Sequence, residues 1–202
     1  MKLYYSPGTC SLAPHIALRE AGVKFDLVRM SLKTHTLADG SDYYAINPKG
    51  SVPMLETDDG ARLTESQVIL QYIGDHAPAS GLAPAPATMA HYRLIEWLSF
   101  ISTELHKGFS PLFNANLPAE VKPLFATPLR RRFEWLEQQL EGCDFLTGER
   151  FSLADAYLFT VMRWAPLTGV DLAGLKNLAA YAERVAARPA VQESLRAEGP
   201  KV

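Results

Sequence analysis

The chain changes character at residues 78–88, where Pro78, Pro84 and Pro86 interrupt an alanine-rich stretch. Proline ends helices and favours extended backbone, so this stretch reads as a linker. Before it, short apolar runs alternate with helical ones. Lys2–Tyr5 reads as a strand broken by Ser6-Pro7-Gly8, and Ser11–Ala21 as a helix stopped by Gly22. Phe25–Arg29 is a second strand. Val52–Thr57, the turn Asp58-Asp59-Gly60 and Ala61–Leu63 form a hairpin signal. Helical spacing returns from Ser66 to His76 through Val68/Ile69 and Tyr72/Ile73. The order is β-α-β, a polar connector, then β-β-α. Beyond the linker only helical patterns remain: Met89–Lys107, Ala119–Glu141, Leu153–Ala165, Leu175–Ala187 and Ala190–Glu198. The expected architecture is α/β plus all-α, with an α/β domain over 1–78, a linker over 79–88 and an all-helical domain over 89–202.

Charge and cysteine usage narrow the partners. A formal net charge of −2 gives no general attraction to nucleic acid or anionic membranes, so a small molecule or another protein is expected. No apolar run has the length to cross a bilayer, and the first residues lack the apolar stretch of a signal peptide. Cys10 and Cys143 are far apart and have no neighbouring ligand cluster, so neither a disulfide framework nor a metal site is expected. This usage points to a reducing, cytoplasmic location.

Cys10 follows a strand and a Pro-Gly turn and precedes a helix. Unpaired amides and the partial positive charge of a helix start favour an anion, so the thiol is expected to have a lowered pKa. A buried structural cysteine is the competing reading. Ser11-Leu12-Ala13 follows, so no C-x-x-C pair forms and a self-resolving dithiol is disfavoured. At Val52-Pro53 a cis bond would leave the Val52 backbone groups to pair with a peptide-like ligand. A trans edge-strand proline explains the sequence equally well. Thr64-Glu65-Ser66-Gln67 opens a helix with hydroxyls and a carboxylate, suited to the α-amino-acid end of a ligand or simply to an N-cap. In Met89–Lys107 the stripe Leu94, Leu98, Ile101, Leu105 should face a core, whereas Tyr92, Glu96, Ser99, Thr103 and His106 share a polar face. Ser152-Leu153-Ala154-Asp155 has capping-box spacing, which accounts for Asp155 without a catalytic role.

Taken in order, several of these pieces match one family. They are strand-turn-Cys10-helix, Asn47-Pro48-Lys49-Gly50-Ser51-Val52-Pro53, Leu63-Thr64-Glu65-Ser66, Glu96-Trp97-Leu98, Glu104-Leu105-His106-Lys107-Gly108 and Phe151–Phe159. Together they resemble the bacterial beta-class glutathione transferases along the whole chain. Cys10 with His106-Lys107 is the part that points to the beta class. The resemblance implies a thioredoxin-like first domain, an all-helical second domain, a homodimer and glutathione as co-substrate without a metal. It places Cys10 beside the glutathione sulfur, able to form a mixed disulfide. Val52, before a cis Pro53, pairs with the cysteinyl part, and Glu65 and Ser66 hold the γ-glutamyl end. Ser99, Thr103, Glu104 and His106 line the site, some of them from the partner subunit. His106 and Lys107 act near the sulfur, and Trp164 lies near the apolar substrate pocket. Tyr5 and Ser11 are reserve activators of the thiol.

Three positions depart from the family pattern. His35 stands where a lysine often binds the glycyl carboxylate, making that contact weaker or pH-dependent. Ser99 replaces a frequent asparagine, and Ser66 a frequent glycine. The expected activity is detoxifying conjugation of the glutathione thiol to electrophilic, mostly apolar molecules. The alternatives are thiol-disulfide reduction or reductive dehalogenation through a Cys10 mixed disulfide, or non-enzymatic ligand binding.

Overall fold

A computed structural model describes residues 1–199. The chain divides into two compact units, one made of Met1–Ala83 and the chain from Pro189 onward, the other of Pro84–Arg188.

The first unit holds β1 (Lys2–Tyr5), α1 (Leu12–Glu20), β2 (Asp26–Ser31), β3 (Thr36–Leu37), β4 (Met54–Glu56), β5 (Arg62–Thr64) and α2 (Ser66–His76). Its sheet runs β3-β2-β1-β4-β5. The α1 crossover makes β1 and β2 parallel, while the tight turn at Asp58-Asp59-Gly60 makes β4 and β5 antiparallel. At the centre, Leu3 lies opposite Leu27 on one side and Leu55 on the other. The sheet is therefore mixed, as the β-α-β, β-β-α order requires. The polar connector carries more structure than its composition suggested. It includes β3 and a 3-10 turn at Tyr43–Ala45, which buries Tyr43 with Tyr4, Met30, Val52 and Met54. The Tyr43 hydroxyl then donates to the Ser51 carbonyl at 3.0 Å, tying the connector to the segment before Pro53.

Helix α1 packs against α2 and against a C-terminal helix, Pro189–Glu198. The sequence reading put that last helix with the helical domain, but it groups with the first unit. Its buried Val191 and Ser194 show that one face is covered. An amphipathic pattern announces such a face without naming the partner.

The second unit contains α3 (Met89–Phe100), a π-helical segment at Ile101–His106, α4 (Lys107–Phe109), α5 (Lys122–Gln139), α6 (Leu153–Met162), α7 (Ala165–Thr168) and α8 (Lys176–Ala186); Pro189–Glu198 is α9. Leu94, Leu98, Ile101 and Leu105 are all fully buried, as their spacing predicts. Met89–Lys107 is nevertheless not one regular helix, because its hydrogen bonding changes to the wider π pattern over Ile101–His106. The expected helix Leu153–Ala165 ends at Met162. Pro166 has no amide for a continuing helix and sits instead in the first turn of α7.

Every residue of α6 is buried, and the helix packs against α3, the π segment and α8. Its start is the capping box expected at Ser152–Asp155. Asp155 Oδ2 accepts from the Ser152 amide at 2.8 Å and the Ser152 hydroxyl at 2.7 Å. Oδ1 accepts from the Leu146 amide at 2.9 Å and the Tyr181 hydroxyl at 3.1 Å. Among the described residues no helix is long and apolar enough to cross a membrane, and no group of His, Cys, Asp and Glu is arranged to hold a metal ion.

Removing the Asp155 carboxylate leaves several buried donors without acceptors. Asp155→Ala is expected to lower stability by about 2–4 kcal/mol, and Ser152→Ala by about 1 kcal/mol. Urea unfolding midpoints check both values. Equal small losses would show that the carboxylate is no more than an ordinary cap.

Candidate active site

In the first unit, Cys10 lies in the turn after β1, one residue before Ser11 at the N-cap of α1. The turn closes on itself, with the Ser11 hydroxyl donating to the Ser6 carbonyl at 3.2 Å and accepting from the Ser6 amide at the same distance. Ser11 is fully buried and committed to this turn. Tyr5, at the end of β1, is also buried. Burial, helped by the Glu198 charge, raises its phenol above the ordinary value, so the group stays protonated at neutral pH.

The Cys10 thiol donates to the Val52 carbonyl at 3.3 Å, and the Val52–Pro53 bond is cis. Of the two readings left open by the sequence, the cis one is therefore present. Burial pushes the thiol pKa up to about 11, and the charges of Glu65 and Glu198 push the same way. The Ser66 hydroxyl and the local backbone favour the thiolate but do not outweigh burial. The lowered pKa expected from the helix start is thus corrected. The carbonyl facing Sγ can only accept, so it also holds the proton on sulfur. Ser66, at the first position of α2, is itself buried, with its hydroxyl beside the thiol. A buried hydroxyl beside a thiol can also meet a ligand's polar atoms.

Glu65 precedes α2 with φ 70° and ψ 117°, a backbone region that non-glycine residues rarely adopt. Its carboxylate accepts from Lys49 Nζ at 3.0 Å, and the same ammonium reaches the Thr64 hydroxyl at 2.9 Å. His35 is a second non-glycine residue with positive φ, at 53°. Its Nδ1 donates to the Gly50 carbonyl at 3.1 Å, and its ring lies 4.6 Å from that of Tyr44. Gly50 has φ 63°, and a Cβ there would run into the Tyr44 ring, so a larger residue is disfavoured. Cys10, Val52 and Ser66 therefore meet at one point, while His35 and Glu65 are fixed through Gly50 and Lys49 respectively. Lys49 was not among the residues singled out in the sequence, although it sits inside the Asn47–Pro53 motif.

In the second unit, His106 ends the π segment. Its ring packs edge-on against Trp164, with centroids 4.9 Å apart, and Nδ1 lies 2.7 Å from the Tyr157 hydroxyl. Trp164 is buried and also packs against Phe109 and Phe113. Two residues expected at the site, His106 and Trp164, are thus in contact, and Tyr157 joins them. Tyr157 carries no sequence signal of this contact, because everything around it in α6 is apolar. Thr103 bonds back to the Ser99 carbonyl at 3.0 Å, Glu104 pairs with Arg132 at 2.8 Å, and Lys107 is exposed.

A thiol with a pKa near 11 is ionised to roughly one part in ten thousand at pH 7. In a Cys143→Ser protein without added ligand, iodoacetamide should modify Cys10 slowly near neutrality. The rate should still be climbing with pH at about pH 10. A rate plateau reached by about pH 8 would contradict this environment.

The chain matches the glutathione S-transferase N-terminal domain family over residues 1–75 and the C-terminal domain family over residues 100–189. It is 48% identical to glutathione S-transferase GstA of Escherichia coli O157:H7 over 201 residues, covering 100% of both chains. A sphingomonad glutathione S-transferase solved in complex with glutathione superposes with a TM-score of 0.94 at 46% identity, with 98% of this chain and 99% of that one covered. The beta-class glutathione S-transferase of Sphingomonas chungbukensis gives 0.94 at 45% identity with the same coverage. Shared length, fold and sequence of this extent place the chain in the glutathione S-transferase family, within its bacterial beta class.

Proposed function

We propose that the protein transfers glutathione to electrophilic, mostly apolar small molecules, a detoxifying reaction. The observation that carries this reading is the meeting of Cys10, the Val52 carbonyl before Pro53, and the buried hydroxyl of Ser66. Similarity to a relative solved with glutathione supports the same ligand. In this reading the backbone of Val52, shaped by Pro53, aligns the cysteinyl part. Glu65 and Ser66 hold the γ-glutamyl end, and His35 meets the glycyl carboxylate. Ser99, Thr103, Glu104, His106 and Lys107 complete the site, and Trp164 borders the apolar substrate. Rate enhancement comes from holding the two reactants together and from hydrogen bonds to the developing thiolate.

A homodimer in the cytoplasm belongs to the same proposal. Exposed Val68, Met89 and Tyr92 offer apolar surface for a second copy, and both cysteines are free thiols. Sedimentation at micromolar concentration should give twice the chain mass, and a monomer would remove this part of the reading.

The position of the Cys10 thiol on the Val52 carbonyl favours one second reading, a mixed disulfide used for thiol-disulfide reduction or reductive dehalogenation. The raised pKa of that thiol argues against Cys10 as the group that activates glutathione. Cys10→Ala is therefore expected to keep aryl-halide conjugation within roughly tenfold of the parent while losing disulfide reduction entirely. Retained reduction would exclude the mixed-disulfide route. Failure of the parent to bind glutathione at millimolar concentration by calorimetry would overturn the whole reading in favour of a ligand-binding protein.

A further inference from the structure

The imidazole of His106 is held on more than one side. Tyr157, only 1% exposed, meets it edge-on with centroids 5.9 Å apart and an interplanar angle of 89°, and its hydroxyl lies 2.7 Å from Nδ1. Trp164 packs against the same ring at 70°. The backbone beneath is the last residue of the π segment, a local geometry often found at functional positions. Tyr157 itself cannot move far, because α6 is buried along its whole length and anchored at its start by Asp155.

The direction of the hydrogen bond follows from acidity. A phenol is a far stronger acid than a neutral imidazole N–H, and an imidazole nitrogen is a far stronger base than a phenol oxygen. The favoured arrangement has the tyrosine donating to Nδ1, and the bond at one ring nitrogen decides where the imidazole proton resides. We propose that Tyr157 is a positioning residue that donates to Nδ1 and fixes neutral His106 as the Nε2–H tautomer. His106 then serves the reacting sulfur as a hydrogen-bond donor to the thiolate and not as the base that removes the thiol proton. The catalytic half of this inference rests on the placement of His106 in the glutathione site proposed above. The tautomer itself does not.

Two measurements test it. Two-bond proton–nitrogen correlation spectra of histidine-labelled parent protein, recorded with the imidazole neutral, should show His106 protonated at Nε2 and bare at Nδ1. In Tyr157→Phe the ring should become a mixture of tautomers. The same variant should lose about tenfold in kcat for conjugation while KM for glutathione changes less than about twofold, the signature of a lost orienting bond. His106→Gln, which keeps an amide donor near the Nε2 position, should retain more activity than His106→Glu, which offers only an acceptor. A parent signal protonated at Nδ1, or a Tyr157→Phe protein with unchanged tautomer and kcat, overturns the proposal. Unchanged kcat in His106→Ala, with the parent Nε2–H signal intact, instead overturns the placement of His106 at the sulfur and leaves the Tyr157 bond standing.

Discussion

A carboxylate sealed from water is tolerated only when its oxygens are matched by donors, and Asp155 meets that condition at both oxygens. Burial alone pushes its pKa upward, opposed by the amides of Leu146 and Ser152 and the hydroxyls of Ser152 and Tyr181. Tyr181 is shifted well above its ordinary value by its own burial and by the neighbouring charge, so its proton stays in place to be donated. This knot fixes where α6 begins and how it is rotated. Rotation matters because α6 carries Tyr157 two residues further on, and Tyr157 faces His106. A structural cap thereby governs a candidate functional group about half a helical turn away.

The two units prepare their residues by different physical means. In the first, the backbone does most of the placing: a cis peptide at Val52, left-handed conformations at His35 and Glu65, and a turn closed by Ser6 and Ser11. These features hold carbonyls and short side chains at fixed points, which suits a peptide-like ligand read along its main chain. In the second, the rings of Tyr157, Trp164, Phe109 and Phe113 form a packed set around His106 or its neighbour. An aromatic enclosure sets orientation while excluding water, which suits an apolar reactant.

Much of this was legible in the residues. The β4–β5 hairpin, the Ser152–Asp155 box and the buried stripe Leu94, Leu98, Ile101, Leu105 each follow from local rules that tertiary context did not disturb. The pKa of Cys10 was not legible, because burial and the nearness of Glu65 and Glu198 depend on distant segments, whereas the helix start is a local feature. The π segment was hidden for a different reason. Widening the hydrogen-bond pattern at Ile101–His106 leaves the apolar spacing nearly intact. Tyr157 escaped notice because an apolar helix and a helix presenting one hydroxyl to a histidine have almost the same sequence. Lys49 lies within the Asn47–Pro53 motif, yet nothing in the linear order brings it to Glu65.

The grouping of α9 with the first unit also bears on the order in which the chain can be completed. Glu198 Oε1 lies 3.1 Å from Nδ1 of the fully buried His15, and Oε2 lies 3.4 Å from the Gly8 amide. Arg19 donates to the other nitrogen of His15, so Nδ1 keeps its proton for the carboxylate. These contacts close loops of 183 and 190 residues, and the whole helical unit lies inside them. During synthesis the helical unit can therefore form while the sheet that precedes it still lacks a wall. The turn bearing Cys10 acquires this buried support only when α9 has left the ribosome, and a loop of such length closes late.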